Sequence, residues 1–258
     1  MSKRKYVKSP IEVGQIYESN YSGKVEVVSY FGVKKVEVRF LNSGKTKWVR
    51  GDHLKLGTIK DYHQPTVFGV GVVGDNVTKV EGKTTTVYNA WTGILERCYS
   101  ESLHKTHPTY KDCEVSEDWK YLDNFKVWFE NHHKDGWEID KDLLFKGNKV
   151  YSEETCRYIP KSLNNLIKEN WKLSTKDLPL GVTERHHCTT NPYNASVSVG
   201  KSKRVSIGNY PTPELAFQAY KREKEKHIKT FSTELFTSGE IDSKLYEALI
   251  NYEVTPYA

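Results

Sequence analysis

The sequence predicts an α+β chain built from several small modules rather than around one deep core. Three patterns carry that expectation. Residues 11–60 hold short β-rich runs broken by turn residues. Residues 137–165 read as strand, turn, strand and helix start. Residues 180–230 hold alternating strand-like runs followed by a strongly capped helix. With 258 residues, 37% hydrophobic and 12% aromatic, small modules fit better than a single large interior. The expected bounds are 1–65, 66–87 (a connector), 88–175, 176–231 and an acidic tail over 232–258.

In the first module Val25-Glu26-Val27-Val28-Ser29-Tyr30 is followed, after Gly32, by Lys35-Val36-Glu37-Val38-Arg39-Phe40. The second run alternates apolar and charged side chains, as a strand with one buried face does. Asn42-Ser43-Gly44 then makes a hairpin turn into Thr46-Lys47-Trp48-Val49. Short strands at this spacing suggest a small SH3-like β-barrel. Lys34, Lys35, Arg39, Lys45, Lys47 and Arg50 would decorate it, either as a docking face for nucleic acid or protein or as a solvated surface.

Gly69-Val70-Gly71-Val72-Val73-Gly74 matches the GxGxxG pattern of dinucleotide sites. No strand leads cleanly into it and no amphipathic helix follows, so it reads as a flexible connector. Beyond it, Tyr88, Trp91 and Leu95, with Ile94 or Cys98, recur at helical spacing. A polar loop with His104, His107 and Pro108 follows. A second helix around 121–132 would place Leu122, Phe125, Trp128 and Phe129 on one face. These aromatics read as core, the alternative being platforms for stacking bases.

Residues 137–165 carry the densest chemistry. Glu138, Asp140 and Asp142 alternate, so a regular strand puts the three on one face and turns Lys141 away. The carboxamides Asn164 and Asn165 follow the second strand. One or two carboxylates with a neutral oxygen ligand and waters is how Mg²⁺ is commonly held.

In the last module Ala195, Val197 and Val199 alternate with Asn194, Ser196 and Ser198, leaving one sheet face packed and one free. Thr212-Pro213-Glu214 starts a helix, with a capping threonine and proline at the first helical position. Ala216, Phe217, Ala219 and Tyr220 would cover the sheet. An acidic amphipathic helix over about 240–252, with Ile241, Leu245, Leu249 and Tyr252, suits packing or a homodimer contact.

Charge is unevenly spread. Residues 1–75 carry 13 Lys/Arg against 7 Asp/Glu, and 76–175 carry 15 against 16. Residues 176–231 carry 10 against 5, and 232–258 carry 1 against 5. Two basic flanks around a nearly neutral middle suit a protein that grips a polyanion at its ends. Cys98, Cys113, Cys156 and Cys188 form no close pair. They read as buried thiols, with a structural Zn²⁺ on Cys98, Cys113, Cys156 and a histidine as the alternative. A charged start without a following apolar run, and no long apolar stretch elsewhere, imply a cytoplasmic chain with no membrane partner.

Residues 180–230 resemble the DNA-binding domain of plant APETALA/ethylene-response factors. The resemblance rests on Gly181-Val182, Tyr193 with Ala195, Ile207-Gly208-Asn209-Tyr210, Thr212 with Glu214-Leu215-Ala216, and Ala219-Tyr220. It implies a three-stranded sheet in the major groove with a helix behind. Arg185, Asn194, Ser196, Lys201, Lys203 and Arg204 then become candidate contacts to double-stranded DNA, the basic ones positioned on phosphates.

Residues 88–165 are similar to phage and intron HNH homing endonucleases. The matching residues are Tyr88-x-x-Trp91, Arg97-Cys98-Tyr99, Pro108-x-Tyr110, Trp119, Phe125, Trp128, Asp140-Lys141-Asp142 and Tyr151-Ser152-x-x-Thr155-Cys156. This implies a ββα-metal core holding Mg²⁺ or Mn²⁺ through Asp140 and Asn164, with Asp142 assisting. Lys141 falls where the family has its general-base histidine. A lysine with the usual pKa of about 10.4 stays charged unless strongly desolvated. It would serve as an electrostatic stabiliser or as a desolvated base. His133, with His132 beside it, is the nearest spare base. The implied function is a metal-dependent, site-preferring DNA endonuclease of nicking or homing type, phage-encoded and acting in the host cytoplasm. The alternative is a catalytically inactive HNH-like factor that binds DNA or another protein.

Overall fold

The computed structural model describes residues 10–167, 178–198 and 204–256. The fold is α+β, and it divides into two compact units, Met1–Phe129 and Glu130–Ala258. The division cuts the 88–175 segment: its first helices belong to one unit and its strand-loop-strand-helix to the other. No helix among the described residues is long and apolar enough to cross a membrane.

In the first unit β1 (Ile16–Ser19), β2 (Gly23–Tyr30), β3 (Val36–Phe40) and β4 (Thr46–Val49) form an antiparallel meander in chain order. Alternation decides what is buried. Val25, Val27, Val36, Val38 and Phe40 face inward and pack with Ile11, Leu54 and Ile59, Leu54 coming from α1 (Gly51–Lys55). The expected turn is present, with Gly44 at φ +72° and its N–H on the Phe40 carbonyl at 2.8 Å. Among the described residues no ladder joins β1 to β4, so the sheet is an open meander rather than a hydrogen-bonded barrel.

The glycine-rich stretch is a built turn, not a flexible connector. Gly71 donates to the Val67 carbonyl at 2.8 Å, and Phe68 and Gly69 both take positive φ. A Cβ at Gly71 would overlap Trp91 and Leu95. Val72 and Val73 are buried, and Val72 bridges Tyr121. The apolar valines hold the segment down where turn chemistry alone suggested a tether.

A short hairpin, β5 (Lys79–Val80) and β6 (Lys83–Thr84), leads to α2 (Thr86–Tyr99). The expected polar loop after α2 is instead α3 (Glu101–Thr106), capped by the Ser100 hydroxyl accepting from Leu103 N–H. After β7 (Glu114–Val115), α4 (Leu122–His132) buries Leu122, Phe125, Trp128 and Phe129. Trp119 packs edge-on to Phe125 at 5.1 Å and against Trp128 at 4.6 Å, and the Trp91 indole donates to the Trp119 carbonyl at 2.7 Å. These aromatics are core.

The second unit pairs β8 (Trp137–Asp140) antiparallel with β10 (Arg157–Pro160), with β9 (Val150–Tyr151) between them in sequence and α5 (Lys161–Ile167) directly after. Next, β11 (Val182–Glu184), β12 (Tyr193–Ser198) and β13 (Arg204–Tyr210) form a three-stranded antiparallel sheet. The following helix, α6 (Pro213–Thr237), is 25 residues long and opens with the Thr212 hydroxyl capping Leu215 N–H. Its first turns cover the sheet through Ala216, Phe217, Ala219 and Tyr220. Its later turns place Ile228 and Leu235 against Ile159, Leu163 and the last helix, α7 (Ser243–Ile250). One helix therefore belongs to both modules. The apolar residues Leu245 and Leu249 of α7 are buried in that same cluster, so the face the sequence offered to a homodimer is covered within the chain.

Candidate metal and nucleic-acid site

The register of β8 with β10 pairs Asp140 with Arg157, Ile139 with Tyr158 and Glu138 with Ile159. Directly paired residues of an antiparallel ladder share a face. Glu138, Asp140 and Ile159 therefore share one face, and Ile139 and Tyr158 occupy the other. Helix α5 covers the acid face: Leu163 packs with Ile159, and Asn164 Nδ2 donates to Glu138 Oε2 at 2.6 Å. Asn164 is buried, one turn into a helix that starts as soon as β10 ends.

Asp140 closes β8 and is half-buried. Its Oδ1 accepts from the N–H groups of Asp142 (2.9 Å) and Leu143 (2.8 Å), which turns the chain out of the strand. Burial raises the Asp140 carboxyl above the ordinary value of 3.8, and the Asp142 charge adds to this. Those two N–H bonds and the Lys141 charge act the other way.

Lys141 lies just past the strand and is buried. Its ammonium donates to Asp142 Oδ1 at 2.6 Å and to the Asn148 carbonyl at 2.7 Å. Asn148 returns the contact through Nδ2 to the Lys141 carbonyl at 2.8 Å and also bonds both backbone groups of Val150. Thr155 Oγ1 donates to the Val150 carbonyl at 2.7 Å. The loop 141–156 is thus clamped by a polar network around Lys141 and Asn148. Asp142, whose carboxylate takes the lysine, is more than half exposed.

His133 stands elsewhere. Its ring meets Tyr158 edge-on at 5.3 Å, and Tyr158 leaves the ribbon on the face opposite Asp140. Glu138, one of the three acids of the sequence cluster, serves here to hold Asn164, while Asn148 is structurally central with only the Gly147-Asn148 turn dipeptide as its sequence signal.

Hard-cation chemistry fits the acid face. Asp140 Oδ2 and Asn164 Oδ1 accept no hydrogen bond among the described residues. Both are oxygen donors of the kind Mg²⁺ takes. Among the described residues no three His, Cys, Asp or Glu side chains gather as a metal-binding group, so the alternative of a structural Zn²⁺ on Cys98, Cys113 and Cys156 finds no cluster there. Cys98, Cys113 and Cys156 are buried and Cys188 is partly exposed. Burial pushes the Cys156 thiol up to about 12. A thiol reagent at pH 8 is expected to titrate Cys188 quickly in the folded chain and the other three only after denaturation. Rapid reaction of more than one thiol would contradict that burial.

On the C-terminal sheet the candidate DNA residues divide. Arg185 sits at the head of the β11–β12 hairpin and Arg204 opens β13, both exposed. Asn194 and Ser196 are buried. Asn194 Nδ2 bonds Ser206 Oγ (2.8 Å), the Gly208 carbonyl (3.1 Å) and Asn209 Oδ1 (2.9 Å), so it ties β12 to β13 beside the bulge after Ala195. Lys201 and Lys203 lie outside the described residues. Comparison with protein-family models, curated proteins and solved structures finds no match to this chain.

Proposed function

We propose that this chain is a divalent-metal-dependent DNA endonuclease of HNH type, with an ethylene-response-factor-like sheet as its DNA reader. One observation carries the reading. The helix after the second strand brings Asn164 onto Glu138, on the ribbon face that also carries Asp140, and this agrees with the order that the resemblance to ββα-metal cores implies. Asp140 and Asn164 would hold Mg²⁺ or Mn²⁺, and Glu138 positions Asn164 by accepting its amide proton. A bound divalent cation there supplies Lewis-acid polarisation of a phosphoryl oxygen and a lowered pKa for water.

Lys141 takes no proton in this scheme. Its ammonium already donates to Asp142 and to the Asn148 carbonyl and, as a cation, has no lone pair to offer. Its work is to hold the loop and to favour the ionised form of Asp140. The test is nicking of supercoiled DNA with Mg²⁺ or Mn²⁺ by wild type and by Asp140→Ala. If neither nicks while both bind DNA equally, the chain is the inactive, DNA-binding form of this fold and the enzyme reading fails.

The reader makes its own prediction. Arg185→Ala and Arg204→Ala are each expected to weaken duplex binding at all sequences and to reduce the salt slope of log K by about 1, as loss of one phosphate contact does. Both arginines are exposed, so melting temperature should hold. An unchanged slope in the double variant would remove the sheet from the interface.

A further inference from the structure

The first unit carries an exposed aromatic cluster that neither the ββα face nor the C-terminal sheet uses. Phe31 sits at the tip of the β2–β3 hairpin, where its N–H donates to the Lys35 carbonyl at 3.0 Å, and is 71% exposed. Trp48, on the outward face of β4, is 48% exposed. The two rings lie 5.9 Å apart at 45°, and Lys35 Nζ stands 5.6 Å from one and 5.0 Å from the other. Large aromatics left in water cost solvation, and a hairpin tip and a neighbouring strand that present one each beside a cation make an exposed apolar surface with a positive edge.

The charge around the cluster points to one kind of occupant. Lys34 and Lys35 are exposed and have no carboxylate partner among the described residues. A carboxylate lies beside the cluster: Glu37 faces Trp48 across the ladder and is held by Ser29 Oγ at 2.7 Å, so the two lysines leave the patch with a net positive charge. A further lysine–aromatic pair, Lys47 over Tyr62, does not extend the patch, because Lys47 shares the Val38 face of the sheet, away from Trp48.

We propose that Phe31, Trp48, Lys34 and Lys35 form a binding site for single-stranded nucleic acid, independent of the nuclease reading. Unpaired bases expose the π-faces that aromatic side chains stack on, whereas a duplex hides them, and the lysines meet the adjacent phosphates. The sugar makes no contact in this scheme, so DNA and RNA strands are both candidates.

The full chain is titrated by fluorescence anisotropy with labelled oligo-dT, oligo-U, an abasic strand of equal length and a duplex. Oligo-dT or oligo-U should bind more tightly than the abasic strand. Phe31→Ala with Trp48→Ala should weaken single-strand binding by about 10- to 100-fold, with duplex affinity and melting temperature unchanged. Trp48→Phe should retain most of the affinity, and Lys35→Gln should reduce the salt slope by about 0.7. Oligo-dT exceeding oligo-U, or the reverse, assigns the source of the strand. Equal binding of the abasic strand, or an unaffected double alanine variant, would overturn the proposal. Displacement of the strand by an acidic peptide as readily as by unlabelled oligo-dT would overturn it too, in favour of a protein partner.

Discussion

Asp140→Ala is expected to lower the nicking rate by about two to three orders of magnitude while leaving duplex affinity within about twofold. A metal ion at a phosphoryl centre contributes several kcal/mol of transition-state stabilisation, and about 1.4 kcal/mol corresponds to each tenfold in rate. In the proposed scheme duplex binding is carried elsewhere, by the exposed Arg185 and Arg204 of the C-terminal sheet.

Asp140→Asn separates the chemistry from the scaffold. The amide oxygen can still accept from the Asp142 and Leu143 N–H groups that turn the chain. It carries no charge, and burial is the main reason the native carboxyl titrates above 3.8. A folded-state pKa above the unfolded one gives a contribution present at low pH and lost as pH rises through the folded pKa. In EDTA at pH 7 Asp140→Asn should therefore melt above wild type, and the gap should close as pH falls below the unfolded value near 3.8. Adding Mg²⁺ should raise the melting temperature of wild type by mass action and that of the variant much less. A wild type that gains nothing from Mg²⁺ or Mn²⁺, yet nicks DNA, would place the metal elsewhere.

Gly181→Ala should be among the most damaging single changes to stability. Gly181 holds φ +75°, a conformation that costs an alanine roughly 1–2 kcal/mol. Its missing Cβ is also where the Tyr220 ring of α6 lies, so any side chain would push the helix off the sheet. Overpacking of this kind typically costs about 1–3 kcal/mol more. The expected loss is about 2–5 kcal/mol, a drop of roughly 5–15 °C in melting temperature for the unit. Tyr220→Leu in the same chain should recover part of the overpacking and none of the backbone strain. A Gly181→Ala chain melting within about 1 °C of wild type would contradict this packing.

Much of this protein could be read locally. The period-two run from Val36 to Phe40 became β3 with its valines inward. Thr212-Pro213 capped α6, and Leu122, Phe125, Trp128 and Phe129 formed the buried face of α4. These features depend on alternation, helical spacing and cap chemistry, which act over a few residues. Site residues were harder. The acid cluster and the Asn164-Asn165 pair were legible in the residues, and the resemblance to HNH cores chose Asp140 and Asn164 among them, but the setting of Lys141 depended on Asn148, seven residues on, which closes a network no periodicity encodes.

The C-terminal sheet makes the same division plain. Alternation correctly turned Ala195 and Val197 toward the helix, while the polar residues between them read as free to touch DNA. Cross-strand pairing instead buried Asn194 against Ser206, Gly208 and Asn209. Likewise the glycine-rich stretch at 69–74 became a packed turn because Trp91 and Leu95 of a later helix closed on Gly71. Helix, strand and turn types followed from neighbouring residues, whose propensities and spacing are short-range. Which polar groups stay in water, and which helix serves two modules, followed from contacts between segments far apart in the chain. Desolvation is a property of the assembled surroundings, so only the tertiary structure could decide it.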